Sequence, residues 1–128
     1  MAKILLVEDQ EMNRDMLSRR LKKRGYEVAI AVDGAEGVEK ARSDSPDLIL
    51  MDMSLPVMDG FEFVMELRKV EAWRAIPIVV VTAKDLTDED RRRLNGDVIG
   101  LIQKRGMDRE SLLAQLSEQV ATASRKPS

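Results

Sequence analysis

The sequence predicts an α/β domain built on a five-stranded parallel sheet with helices on both faces. Five strand-length apolar runs, at residues 4–7, 28–31, Leu48–Met51, 78–81 and 98–102, carry no polar alternation. Continuous apolar runs of that length mark strands buried on both faces. Segments with helical spacing separate them, so strand and helix alternate five times. The 128 residues are 44% hydrophobic, which supports one buried core rather than two domains.

Each element has a local cause. Residues 4–7 (ILLV) form the first strand. Met12, Met16, Leu17 and Leu21 recur at helical spacing and make an apolar stripe, and Gly25 ends that helix. A weaker strand follows at 28–31, and Asp33 is placed to cap a helix carrying Val38 and Ala41. After the third strand, Leu48–Met51, a third helix lined by Phe61, Val64 and Leu67 follows Asp59 and Gly60. Trp73, in a charged stretch before Pro77, reads as structural. Beyond the fourth strand, Thr87 caps a short helix ending at Asn95 and Gly96, on which Arg91, Arg92 and Arg93 form a solvated face beside Asp88, Glu89 and Asp90. Gly100 interrupts the fifth strand. Asp108 begins a last helix with Leu112, Leu113, Leu116 and Val120. Residues 1–120 are expected to form the domain, and residues 121–128 (ATASRKPS) a frayed tail.

Composition excludes much. Twenty-one Lys and Arg against 23 Asp and Glu give a net charge of −2, which argues against direct nucleic-acid binding. With no Cys and no His, disulfides, thiolate or imidazole metal sites, Ser–His–Asp catalysis and a histidine phosphodonor role all disappear. The apolar runs are far too short to span a membrane, and no leader follows Lys3, so a cytoplasmic location is expected.

The chemistry that remains uses oxygen ligands and a lysine. Glu8 and Asp9 follow the first strand directly, Asp52 the third, Thr82 the fourth, and Lys104 comes within two residues of the fifth. In an open parallel sheet the crevice outside the carboxyl ends of the strands, at the topological switch point, holds the ligand. A lone Asp after a strand is usually a turn former or cap, but these five have complementary chemistry. Three converging carboxylates call for a cation, and hard oxygen ligands suit Mg²⁺. A hydroxyl and an ammonium beside them make a site for phosphoryl transfer to a carboxylate, with Asp52 attacking in line.

With these residues in place, the chain resembles the receiver domain of two-component response regulators, across residues 3–120. The motifs that carry the resemblance are ILLVED (4–9), DLILMDMSLPVMDG (47–60), IVVVTAK (78–84) and IQK (102–104), in the family's order. The segment TAKDLTDEDRRRLNG (82–96) is similar to receivers that work with hybrid histidine kinases. The resemblance implies a flavodoxin-like (βα)5 fold in which Asp52 is the phosphoacceptor, with Thr82 and Lys104 contacting the phosphoryl group. It implies Mg²⁺, with Mn²⁺ as an alternative, held by Asp9, Asp52 and the backbone carbonyl of Met53, and by Glu8 through a water. Ser54 and Lys84 fall where the family tunes dephosphorylation. The implied partners are a sensor histidine kinase or histidine phosphotransfer protein and a downstream protein target. Such a module catalyses only its own phosphorylation and dephosphorylation. Pro56, Asp59 and Gly60 shape the loop over the site and read as turn chemistry alone.

Two positions depart from the family's pattern. Its switch aromatic is replaced by Leu101, and the Pro that usually follows its Lys by Arg105. These departures support an alternative, a receiver-like interaction module with little phosphorylation-driven switch. Two other classes fit worse. A haloacid-dehalogenase-type phosphatase places its nucleophile after the first strand with a second Asp two residues on, where this chain has Ser54 after Asp52. A flavin-binding module needs a phosphate loop where Glu8 and Asp9 would repel phosphate. Met12 and Met16 offer a surface for docking a kinase, although their spacing fits core packing equally.

Overall fold

The computed structural model describes residues 2–55, 57–83, 85–94, 96, 98–104 and 107–124. Five strands and five helices alternate along the chain: β1 (Lys3–Val7), α1 (Glu11–Lys23), β2 (Glu27–Ala31), α2 (Gly34–Asp44), β3 (Leu48–Met51), α3 (Gly60–Arg68), β4 (Ile78–Thr82), α4 (Asp88–Leu94), β5 (Gly100–Gln103) and α5 (Arg109–Ser124). All strand pairs are parallel, in the order β2-β1-β3-β4-β5. The direction of winding reverses between β1 and β3, so the crevice opens at their carboxyl ends, where Val7 is in register with Met51.

Side chains of successive strand residues point to opposite faces, and both faces are covered. Leu5, Val7, Ile49, Met51, Ile78 and Val80 pack with Ala41, Phe63, Val64, Leu67 and Leu94 of α2, α3 and α4. Ile4, Leu6, Leu48, Leu50, Val79, Val81 and Ile102 pack on the opposite face with Leu17, Leu21, Leu112, Leu116 and Val120 of α1 and α5. Burial on both faces is why the strands read as unbroken apolar runs. The fivefold alternation and the parallel sheet match the expectation from sequence.

The helix ends are built as their residues suggest. Gly25, at φ +92°, follows the C-terminus of α1. Its N–H donates to the Lys22 carbonyl (3.0 Å) and the Tyr26 N–H donates to Leu21 (3.2 Å), which satisfies two of the free carbonyls of the last turn. Asp33 accepts the Glu36 N–H and caps α2. Thr87 and Asp90 cap α4 reciprocally, each side chain accepting the other's N–H. Trp73 lies in a single 3-10 turn and packs on the α2/α3 side of the core.

Four details differ from the sequence reading. Met12 is 86% exposed and outside the core, because at 3.6 residues per turn it lies about 140° round α1 from Leu17 and about 180° from Leu21, on the outward side; Met16 does pack on the core. The fifth strand begins at Gly100, leaving Ile99 half exposed at the sheet edge. Arg91, Arg92 and Arg93 are exposed, but two of them make contacts: the Arg93 guanidinium lies 3.9 Å from the centre of the Phe61 ring, and Arg91 donates to Gln103. Finally, α5 continues to Ser124, so the boundary expected at residue 120 falls inside its last turn.

Candidate phosphoacceptor site

The site assembles from the strand ends. The Asp52 N–H donates to the Val7 carbonyl (3.3 Å) and the Lys104 N–H to the Thr82 carbonyl (2.8 Å). Those bonds extend the sheet pairing past the strands and turn both side chains over the crevice. Glu8 and Asp52 are buried, Thr82 is fully buried, and Asp9 is exposed at the mouth. Glu8, Asp9 and Asp52 each offer a carboxylate oxygen within 4.8 Å of the others.

Asp52 is the centre of this network. Its Oδ1 accepts the Thr82 hydroxyl at 2.7 Å and the Ser54 N–H at 3.1 Å. Its Oδ2 lies 3.5 Å from the Lys104 ammonium. The same ammonium pairs with Glu8 Oε1 at 3.2 Å, while Glu8 Oε2 accepts the Gln10 N–H at 3.1 Å. Burial pushes the Glu8 carboxyl above its ordinary value; the Gln10 N–H and the Lys104 ammonium pull it down, and the Asp52 charge raises it again. One ammonium therefore serves two buried carboxylates, and Asp9 brings a third. Clustered hard oxygens with excess negative charge are the donor set of a small divalent cation.

The loops around the site are held by Arg14, which the sequence did not flag, and by Gly60 and Asp59, which it did. Arg14 reaches back from α1 and donates to the carbonyls of Glu8 and Asp9 at 3.1 and 3.2 Å. No sequence motif marks it, since its role depends on an arginine reaching back over its own helix N-terminus. Gly60 corrects an expectation. Its N–H donates to the Met53 carbonyl (3.0 Å), and a Cβ built there would come within 2.7 Å of Met53 Cα. Close approach of α3 to the chain after Asp52 demands glycine here, beyond turn chemistry. Asp59 caps α3 through the Glu62 N–H (2.9 Å).

The structure thus brings Glu8, Asp9, Asp52, Thr82 and Lys104 together, with the Met53 backbone beside them. Ser54 contributes its N–H and exposes its side chain. Pro56, Lys84 and Arg105 lie outside the described residues. Leu101, in register with Val80 on β5, is half-buried against the α2/α3/α4 side of the core. It borders a shallow cavity of about 220 Å³ with Leu94 and Val98.

A doubly wound parallel sheet with a buried carboxylate held among a hydroxyl, an ammonium and two further carboxylates defines a phosphoacceptor signalling module. The chain belongs to the response regulator receiver domain family, whose sequence profile matches residues 4–117. Protein PilH of Pseudomonas aeruginosa is 40% identical over 85 residues, 66% of this chain and 70% of PilH. The alkaline phosphatase synthesis transcriptional regulatory protein PhoP of Bacillus subtilis is 42% identical over 83 residues, 65% of this chain but 34% of PhoP. Among solved structures, chemotaxis protein CheY4 of Vibrio cholerae superposes with a TM-score of 0.79 at 35% identity, covering 92% of this chain and 98% of CheY4. The receiver domain of sensor histidine kinase PA1611 of P. aeruginosa superposes at 0.83 with 30% identity, covering 98% of each chain, and its structure has a magnesium ion coordinated in the active-site cleft. Receiver domains accept phosphoryl groups in two-component signalling and work with histidine kinases or phosphotransfer proteins. Among the described residues no helix is long and apolar enough to cross a membrane.

Proposed function

We propose that Asp52 accepts the phosphoryl group, and that Thr82 and Lys104 hold it. The observation that carries this reading is the convergence on Asp52: Thr82 and Ser54 donate to one oxygen and Lys104 faces the other. A carboxylate oxygen of Asp52 attacks the phosphorus of a partner's phosphohistidine; the O–P bond forms, the N–P bond breaks, and the electron pair leaves with the imidazole. Lys104 then pairs with the new phosphoryl oxygens, and the Thr82 hydroxyl turns from Asp52 to donate to one of them. Asp9, Asp52 and the Met53 carbonyl would hold Mg²⁺, or Mn²⁺ on the same oxygens, and Glu8 would act through a water. When bound, the ion supplies positive charge for the equatorial oxygens in transfer. Ser54 and Lys84, two residues after Asp52 and Thr82, stand at the positions where dephosphorylation is tuned. The domain, residues 1–120 with the rest of α5 attached, acts by changing its affinity for a downstream protein target.

Incubation with acetyl phosphate and Mg²⁺ tests the reading. One phosphoryl group should appear per chain, labile to hydroxylamine and alkali as an acyl phosphate is. No incorporation, or a stable adduct, overturns it.

One observation favours a second reading of the output. Leu101 already sits in packed contact with the core, and a leucine repacks in small steps where a ring would have to swing. This supports a domain that binds its partner with little phosphorylation-driven change on the α4/β5 face.

A further inference from the structure

We propose that the groove between α1 and α5 binds a compact polyphosphate anion, at a site separate from the acidic crevice. The chain carries a net charge of −2, yet Arg19, Arg20, Lys22, Lys23 and Arg24 are five cations in six residues. Where the second half of α1 meets the start of α5, a groove of about 400 Å³ gathers Arg19, Arg20 and Lys23 from one helix and Arg109 from the other. That volume suits a small phosphorylated ligand.

The charges there are poorly compensated. Arg19 is paired with Asp15 at 3.2 Å. Arg20, Lys23 and Arg109 face Glu110 as the lone carboxylate of the groove, and among the described residues their side chains form no hydrogen bond or ion pair. Arg20 differs from the other two in its burial. It is half-buried and its Nε is shut off from solvent with no acceptor, as is the hydroxyl of Ser117 on α5. A buried donor of a charged group left unmade is costly, and natural structures retain few of them. An anion in the groove would not reach that Nε, but it would take charge-assisted bonds from the terminal nitrogens of Arg20 and from Lys23 and Arg109.

The lining also limits the ligand. Met16 and Leu113 supply an apolar floor beneath the cations, suited to a planar or apolar group attached to the phosphates. Bare tripolyphosphate and a nucleoside triphosphate share the anionic chemistry, and the floor separates them.

The test is a titration of the full, metal-free chain with tripolyphosphate and, separately, ATP, followed by amide and methyl NMR shifts. Without metal the three crevice carboxylates repel both probes. The expected result is a saturable shift at residues 19–23 and 109–113 that weakens as salt is raised. Lys23→Gln and Arg109→Gln, both at exposed positions, should each weaken binding roughly tenfold, the loss expected for one charge-assisted bond. Arg42→Gln, an exposed cation on α2 across the sheet, should leave it unchanged. Tighter binding of ATP with shifts at the Met16 and Leu113 methyls identifies a nucleotide ligand, and equal binding identifies the phosphate chain alone. Shifts that do not saturate, that spread evenly over all basic residues, or that survive both groove substitutions overturn the proposal.

Discussion

Replacing Lys104 by Met removes the single ammonium between two buried carboxylates, and the consequences follow from the geometry. The Lys104 side chain is 13% exposed, and its partners Glu8 and Asp52 are 2% and 10% exposed. Breaking a buried pair by deleting one member costs about 3–5 kcal/mol, because the other charge is left uncompensated. Asp52 keeps its Thr82 and Ser54 donors and the crevice opens to water at Asp9, so the low end, about 3 kcal/mol at neutral pH without metal, is expected. The loss should depend on pH. The folded-state value of Glu8 is already raised above 4.5, so its contribution to stability is full below that value and fades as pH rises through the folded value. Without Lys104, burial and Asp52 push Glu8 higher still. The deficit of the variant should therefore shrink as pH falls toward 4.5 and be largest at neutral pH. Urea unfolding in EDTA, with the slope checked for constancy, measures it. Adding Glu8→Gln to Lys104→Met should recover most of the loss. A deficit below about 1 kcal/mol, the range of an exposed pair, or one equal at both pH values, would refute the reasoning.

Other expectations follow from the same arrangement. Mg²⁺ at a hundredfold excess over its Kd should stabilise the chain by about 2.7 kcal/mol, seen as a higher melting midpoint, and Asp9→Asn should shrink that response. Gly60→Ala should cost about 1–3 kcal/mol by overpacking against Met53 and should also reduce the Mg²⁺ response, because the Met53 carbonyl moves with α3; urea midpoints with and without the ion check both. Beryllofluoride with Mg²⁺ should shift amides at residues 53–60, 83–87 and 104–107. Large slow-exchange changes along the outer faces of 88–102 and 108–120 would instead show that a two-state switch operates with Leu101 in place.

Much of this was legible because the sheet is parallel and covered on both faces. Ile4 and Leu5 bury equally in opposite directions, so the strand cannot help reading as ILLV, and each polar residue that follows marks a strand end. The five site residues were found that way, from order along the chain alone. Their pairings were not. Chain order does not tell that Glu8 turns inward to Lys104 while Asp9 stays exposed, and the resemblance separated them only as a ligand through water and a direct one. Met12 stands outside because its four-residue spacing to Met16 does not carry round to Leu17 and Leu21, from which it is about 140° and 180° away on the helix. Gly60 was undervalued because its constraint is a tertiary contact with Met53, and Arg14 was missed because its acceptors are backbone carbonyls that any residues would supply.

The central claim is that Asp52 receives the phosphoryl group, and peptide mapping tests it most directly. After reaction with acetyl phosphate and Mg²⁺, borohydride reduction converts an aspartyl phosphate to homoserine, and mass spectrometry of the peptides locates it. The account predicts conversion at position 52 alone and none in Asp52→Asn. Conversion at Asp9, or an unreduced phosphate on Ser54 or Thr82 in the native chain, would contradict it.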